Sequence, residues 1–161
     1  MPGEIKAGHR AINLFSKKGN QHQVCQSHRL LGHIHCSTGE QEKAVYHFEA
    51  ALGIASSYNW HFQLFWVRYA LARLSFNQGK FDNAHAHVGL AKVHVVDNTY
   101  FLGRTMELQA GFWYCQHQFE AAKSEILRAA EVYGKLKAAG GLERCKELLQ
   151  QIEQGMKNPV A

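Results

Sequence analysis

Apolar residues recur at steps of three and four along most of the chain, which is the period of an amphipathic α-helix. The clearest stretch runs from Phe65 to Leu74, where only Arg68 and Arg73 interrupt a series of apolar side chains. The two prolines, Pro2 and Pro159, lie at the ends of the chain, so no proline breaks a helix between them. This pattern predicts an all-α protein.

A short alanine signature occurs three times, each time after such an amphipathic stretch. Its first alanines are Ala44, Ala84 and Ala122, which lie 40 and 38 residues apart. Each is followed by a large apolar residue four positions later and by a second alanine three positions after that. Gly39 and Gly79 precede the first two signatures, where glycine can take the left-handed conformation that ends a helix. The sequence therefore predicts an antiparallel helix pair that is repeated three times.

The N-terminal segment extends this array by one helix. Residues 4–17 are predicted to form the second helix of a repeat whose first helix is missing. An apolar stripe on that helix would then lack its partner, and we expect Ile5, Ile12 and Phe15 to mediate self-association, with a homodimer as the simplest product.

The C-terminal segment is predicted to close the array. Gly140 and Gly141 are expected to break the chain after the third helix pair. Residues 141–154 are then expected to form a one-sided helix that covers the last repeat, because each repeat buries its face only on its neighbours.

The spacing of the first repeat resembles that of the tetratricopeptide repeat family. The residues that carry the resemblance are Leu31, Gly32, Ala44, Phe48 and Ala51. Over roughly residues 5 to 154, the resemblance implies an α-solenoid of antiparallel helix pairs within a single domain, 1–161. The three repeats would span residues 21–56, 60–95 and 98–137. Because these repeats exceed the usual length of about 34 residues, they imply longer helices, similar to those of kinesin light chains and helical sensor proteins.

A second resemblance concerns residues 98–114. This stretch is similar to the C-terminal repeats of large fungal signalling NTPases of the NB-ARC and STAND type, in which a nucleotide-switch domain precedes the repeats. The present chain has no phosphate-binding loop of its own. The resemblance implies that the chain is either the sensor part of a larger signalling system or a stand-alone descendant.

The tetratricopeptide resemblance also implies a binding groove lined by the first helix of each pair. Carried over to this sequence, its expected contacts to a partner are Gln26, Arg29, His33, Trp66, Tyr69, Arg73, Phe76, Arg104, Glu107 and Tyr114. Arginines pair with carboxylates through two hydrogen bonds, and aromatic rings supply apolar contact area. The alternative that the aromatic residues belong to the core stays open. The chaperone-type carboxylate clamp is not matched, because His33 and Ala70 stand where that clamp has asparagines.

The charge and the cysteines narrow the class of partner. The formal net charge is +5 with eleven histidines counted as neutral, which favours an acidic peptide or protein. Non-specific RNA binding is an alternative. A code of one base per repeat is not expected, because it needs matching residues at the groove positions of every repeat, and here these residues differ. No long apolar run predicts a membrane span. The four cysteines show no CxxC spacing and are expected to be reduced thiols of a cytoplasmic protein.

Histidines and a cysteine crowd the first repeat and raise the question of a metal site. His33 and His35 lie two positions apart on one helix, so their side chains point in nearly opposite directions and cannot chelate together. His28 and Cys36 are two turns apart. We therefore predict no metal site, no cofactor and no catalytic residue, and a protein–protein interaction scaffold as the function. A helical-repeat enzyme, or a metal- or ligand-binding protein using this repeat, is the alternative.

Overall fold

A computed structural model describes residues 2–95 and 99–157, and within these ranges the chain forms eight α-helices and no β-strand. The helices are α1 (Pro2–Lys17), α2 (Gln21–Ser37), α3 (Gln41–Ser57), α4 (His61–Asn77), α5 (Phe81–Val93), α6 (Thr99–Cys115), α7 (Phe119–Lys135) and α8 (Ala139–Lys157). The predicted all-α class is confirmed. Among the described helices, none combines the length and the apolar composition that a membrane span needs.

Six of the turns, all but the connection between α5 and α6, are built alike. Each of these six contains one residue with positive φ, and these residues are Gly19, Gly39, Asn59, Gly79, His117 and Lys137. In each turn the next amide donates a hydrogen bond to the carbonyl five residues earlier, for example from Glu40 N to His35 O at 2.9 Å and from Ala138 N to Tyr133 O at 2.9 Å. This is the Schellman ending of a helix, which needs a left-handed residue at that position. The regular spacing of these turns explains the 40-residue repeat.

The interval between the second and third repeats is shorter than 40 residues. Helix α5 has 13 residues, whereas α2, α3, α4, α6 and α7 have 17 each. The shortened step coincides with the boundary between two compact units, Met1–His94 and Val95–Ala161. The 38-residue offset between Ala84 and Ala122 in the sequence reflects this step. Each unit is described by itself, and the domain bounds derived from the sequence stay a prediction.

The first unit contains α1 to α5, in which each helix packs on the next and α2 also contacts α4. Its core includes the fully buried alanines Ala44, Ala51 and Ala55 of α3 and the ring of Phe48. Gly32 of α2 lies directly under that ring, because a Cβ at position 32 would stand 2.6 Å from the Phe48 Cε1 atom. The alanine signature therefore allows α2 and α3 to approach closely, as the sequence predicts.

The second unit contains α6, α7 and α8, all three in mutual contact. Its core includes Ala122, Ile126 and Ala129, the third copy of the signature, together with the fully buried ring of Tyr133. Two glycines make room for this ring. A Cβ at Gly103 would lie 2.8 Å from Tyr133 Cε1, and one at Gly141 would lie 2.5 Å from Tyr133 Cγ.

The predicted chain break at Gly140 and Gly141 is wrong. Both glycines lie in the first turn of α8, which begins at Ala139 and ends at Lys157 rather than spanning 141–154. The turn is made instead by Lys137, whose φ is 54°. The physical reason for Gly141 is close packing against Tyr133 and not backbone freedom, and a sequence alone does not distinguish these two uses of glycine.

Candidate functional site

Two basic side chains converge on one histidine at the face formed by α2 and α4 of the first unit. Arg29 and His33 lie on α2, and Arg73 lies on α4. Burial, followed by the charges of Arg29 and Arg73, lowers the pKa of His33. Arg73 also acts on the Cys36 thiol. Burial raises the pKa of this thiol, and the Arg73 charge offsets part of that increase. The charges of these arginines therefore act on the same part of α2, and we call the surface that carries these four side chains the α2–α4 face.

The arginines of the α2–α4 face are not neutralised within the described residues. Neither Arg29 nor Arg73 forms an ion pair there. The Nε atom of Arg29 is buried and has no hydrogen-bond partner. Because an unpaired buried polar atom costs free energy, this guanidinium would gain from an added acceptor.

The aromatic residues predicted for the groove divide between core and surface. Tyr69 is buried, with its ring 5.8 Å from that of Phe65. Trp66 is half-buried and its ring lies 6.0 Å from that of Tyr69. Phe76 is half-buried against Phe81, at 5.1 Å between ring centroids. Helix α4 is buried on most of its circumference, so the alternative of core residues holds for Tyr69. Gln26 is half-buried on α2.

The remaining predicted contacts belong to the second unit, where they have internal partners. Glu107 accepts hydrogen bonds from Arg144 Nε at 2.8 Å, from Arg144 Nη2 at 3.0 Å and from the Tyr133 hydroxyl at 3.0 Å. Arg104 lies 3.3 Å from the same carboxylate. Burial and the Glu107 charge raise the pKa of Tyr133 above its usual range. Tyr114 is half-buried with its ring 6.0 Å from that of Phe119. These contacts show Glu107 at the centre of a structural network.

Four histidines from three helices meet at another place in the first unit. His47 of α3 is at the centre, with ring centroids 5.5 Å from His9 of α1, 5.2 Å from His28 of α2 and 5.3 Å from His35 of α2. The rings of His35 and His47 are stacked within 2° of parallel. We call these residues the histidine cluster. The spacing argument from the sequence compared only residues of α2 and therefore missed the histidines contributed by α1 and α3.

Two hydrogen bonds orient three rings of the histidine cluster. His35 Nδ1 lies 2.7 Å from Glu40 Oε2, and His28 Nδ1 lies 3.0 Å from His47 Nδ1. Burial and the three neighbouring histidines lower the pKa of His47 to about 4. Hydrogen bonds from Lys43, His35 and Thr38 hold the pKa of Glu40 at about 2. At neutral pH, His47 is therefore uncharged and Glu40 is a carboxylate.

An open cleft of about 400 Å³ adjoins the histidine cluster. Its lining residues are Ile5, His9, His35, Glu40, Glu42, Lys43, Tyr46 and His47. The cleft is mostly apolar on its walls and carries imidazole groups and the ion pair of Glu40 with Lys43 at its edge. Such a cleft can admit solvent or a small polar ligand.

The residues predicted to mediate self-association are only partly available. Ile5, Ile12 and Phe15 are half-buried on α1. The larger exposed apolar side chains nearby are Leu14 and Leu30. Self-association through the N-terminal helix stays a prediction.

Comparison with known proteins supports the fold. No family model matches the sequence, and no curated protein matches it. The crystal structure of BtubC (BKLC) from P. vanneervenii is similar over 88% of this chain and 67% of that protein, with a TM-score of 0.63 and 17% identity. The crystal structure of aspartyl phosphate phosphatase F from Bacillus subtilis is similar over 93% of this chain, with a TM-score of 0.62 and 14% identity. The chain spans only 43% of that phosphatase. At these identities the comparison establishes an all-α helical-repeat fold.

Proposed function

We propose that the first unit is a protein-interaction module that binds an acidic peptide or an acidic segment of a partner protein on its α2–α4 face. The observation that carries this proposal is the pair of arginines, Arg29 and Arg73, which flank His33 without a carboxylate partner among the described residues. An acidic segment would supply the carboxylates that the chain itself does not supply there.

The distribution of charge supports the same class of ligand. Residues 1–94 contain ten lysines and arginines and only five aspartates and glutamates, so the whole excess of positive charge lies in the first unit. A carboxylate approaching this unit is attracted before it makes contact, and an arginine then pairs with it through two parallel hydrogen bonds.

An apolar residue of the ligand would have a surface to pack on beside the arginines. Trp66 is half-buried and contacts Phe62 and Phe65, with 6.2 Å and 5.1 Å between ring centroids. Large aromatic side chains that are partly buried in this way are frequent anchors of protein interfaces. We therefore propose a ligand with carboxylates and one apolar anchor, and we retain Gln26 and Phe76 as neighbouring contacts.

The test uses an array of acidic peptides, each with one leucine or tryptophan, followed by fluorescence anisotropy with the tightest peptide. Arg73→Glu should weaken binding by roughly tenfold or more, since it replaces attraction by repulsion at the site. Lys18→Glu makes the same change of net charge in the exposed turn after α1 and is the matched control.

Three outcomes would move the function elsewhere. Equal weakening by Lys18→Glu and Arg73→Glu would mean that only the net charge matters, and steep salt dependence with single-stranded RNA as the tightest probe would favour the nucleic-acid alternative. Undiminished binding by Arg73→Glu would exclude the α2–α4 face.

The wider setting of this module rests on resemblance alone. A sensor role within a larger signalling system follows from the similarity of residues 98–114 to fungal signalling NTPases, and it stays a prediction. The same holds for the cytoplasmic location and for the homodimer, which sedimentation at tens of micromolar would test.

A further inference from the structure

The histidine cluster brings together three imidazoles that are far apart in the sequence. One ring nitrogen from each of His9, His35 and His47 lies within 4.8 Å of the corresponding nitrogens of the other two. We propose that these three residues bind a divalent transition-metal ion of the zinc class. Imidazole nitrogen suits zinc, copper, nickel and iron, and three histidines with a fourth, open position are a known arrangement for zinc.

His35 is the residue whose geometry points most directly to a ligand. Its side chain is buried, with only 2% of the residue exposed. Nδ1 donates its proton to the Glu40 carboxylate at 2.7 Å, so the other nitrogen, Nε2, carries the lone pair. Within the described part of the chain, this Nε2 is buried and has no hydrogen-bond partner. A metal ion would satisfy an atom that is otherwise left unpaired at a cost in free energy.

The pairing of His35 with Glu40 is also the arrangement that holds a metal-binding histidine in place. Metal ligands of this type commonly donate their second N–H to a carboxylate, which fixes the tautomer and makes the metal-binding nitrogen more basic. Glu40 is itself held by Lys43 and by the Thr38 hydroxyl at 3.2 Å. The carboxylate is therefore positioned by its own neighbours and not by chance contact with the ring.

His47 has one nitrogen engaged and one available. Its Nδ1 shares a hydrogen bond with His28 Nδ1 at 3.0 Å, and that bond occupies one nitrogen of each ring. The second nitrogen of His47 stays available to a metal ion. His28 then acts on His47 as Glu40 acts on His35, which gives each of the two buried ligands a partner that orients it.

The required closing motion is small. With zinc–nitrogen bonds of about 2.0–2.1 Å, two ligands of a tetrahedral site lie about 3.3 Å apart, so nitrogens now within 4.8 Å must approach by roughly 1.5 Å or less. His9 is exposed on α1, and its side chain can move toward the two buried ligands without disturbing the core. The parallel rings of His35 and His47 must also rotate so that both lone pairs point at one ion. The cleft of about 400 Å³ beside the cluster leaves room for a fourth ligand, such as water.

A packing role for the rings explains less. Stacking of His35 on His47 accounts for their parallel planes, but it leaves the buried Nε2 of His35 without a partner. It also gives no reason for His9, which is exposed, to lie within reach of both. A metal ion accounts for both of these observations.

The experiment measures zinc bound to the full chain without a histidine tag, by dialysis against Zn²⁺ in the presence of a competing chromophoric chelator. We expect one Zn²⁺ per chain. His9→Asn should weaken binding by at least about 100-fold, and Glu40→Gln by about 10- to 100-fold, the range expected when a ligand loses its orienting carboxylate. Because His9 is exposed, its substitution should leave the fold intact, which circular dichroism checks.

His117→Asn is the matched control, since His117 is an exposed histidine of the second unit. Its affinity for zinc should equal that of the unchanged chain, and Co²⁺ bound to either protein should give the visible absorption of a tetrahedral site. Equal affinity of His9→Asn and the unchanged chain, or an equal loss in His117→Asn, would overturn the proposal and indicate adventitious binding to surface histidines. Binding of acidic peptides at the α2–α4 face is measured separately, so failure of one proposal leaves the other standing.

Discussion

The two compact units are built from the same helix pairs and use their charged residues in different ways. The first unit has ten lysines and arginines, five acidic residues and ten of the eleven histidines, whereas the second has eight residues of each charge and one histidine. In the second unit the opposite charges pair with each other, as in Glu107 with Arg144 and Lys123 with Glu153. In the first unit, Glu40 pairs with His35 and Lys43.

This difference indicates which unit is suited to a ligand. A surface whose charges are already paired gains little from a new partner, because each new ion pair must replace an existing one. A surface with unpaired arginines and imidazoles gains the full interaction. The second unit thus uses described charges such as Glu107 and Arg144 for internal pairs, whereas Arg29 and Arg73 of the first unit form no ion pair among the described residues.

The strongest way to test the internal construction of the second unit is Gly141→Ala. The new Cβ would stand 2.5 to 2.7 Å from three ring atoms of Tyr133, which is fully buried. We expect a loss of about 3 kcal/mol in the free energy of unfolding, at the upper end of overpacking effects. Urea unfolding followed by circular dichroism measures it.

Gly134→Ala is the matched control in the same unit. This glycine lies in α7, and a Cβ there would meet no atom within 4 Å. Alanine should therefore stabilise the helix by about 0.5–1 kcal/mol. If both substitutions had the same effect, the contact between Gly141 and Tyr133 would not be a close one.

The next effect concerns the paired charges of the second unit. Arg144→Ala removes two hydrogen bonds from the Glu107 carboxylate, whose side chain is only 17% exposed. We expect a loss of about 2 kcal/mol in the free energy of unfolding, since a largely buried charge loses its main partner. Lys135→Ala breaks the exposed pair with Glu131 and should cost less than about 0.5 kcal/mol. Equal losses would show that the Glu107 network is no stronger than a surface ion pair.

Much of the fold could be predicted from the sequence because small residues recur at the same positions of each repeat. Ala44, Ala84 and Ala122 mark the second helix of each pair, and Gly39 and Gly79 mark turns. The turn at Lys137 could not be predicted, since a lysine with positive φ is uncommon and is imposed by the helices on either side. Gly141 misled the prediction because packing, and not a turn, requires that glycine.

The candidate sites were predictable only where one helix carries them. Arg29 and His33 share α2, and the family resemblance placed Arg73 on the facing helix. The histidine cluster draws His9, His35 and His47 from three helices, and their proximity depends on how those helices pack. No spacing rule within one helix can reveal such a site. The family's groove positions placed Tyr69 on the surface, whereas the structure buries it, because α4 is apolar on most of its circumference.

A smaller effect should distinguish the units by their response to acid. Burial and Arg68 lower the pKa of His87, and burial, His61 and Arg68 lower the pKa of His94. Below pH 6.5, these two histidines therefore bind protons more readily in the unfolded chain than in the folded chain. Their contribution to the free energy of unfolding is therefore complete above that pH. It decreases as the pH falls toward the pKa values of His87 and His94 in the folded chain. The second unit contains a single histidine, His117.

Thermal unfolding from pH 7.5 to 5 tests this difference. The double variant His87→Gln, His94→Gln should lose less stability over that range than the unchanged chain, whereas His117→Gln should lose as much. Identical pH profiles for all three proteins would mean that the contacts of Arg68 with His87, at 3.2 Å, do not oppose protonation.

The smallest effect concerns the turns, where the units also differ. The first unit places glycine at three of its four left-handed turn positions and Asn59 at the fourth, whereas the second places His117 and Lys137 there. A residue with a Cβ costs about 1 kcal/mol in that conformation relative to glycine, although the greater freedom of glycine in the unfolded chain offsets part of this. Lys137→Gly should therefore stabilise the protein by roughly 0.5 kcal/mol, and Gly79→Lys should destabilise it by a similar amount. Both are measured by urea unfolding. A loss of stability in Lys137→Gly would mean that the lysine side chain makes contacts worth more than the strain of its backbone, and the two units would then end their helices by different means.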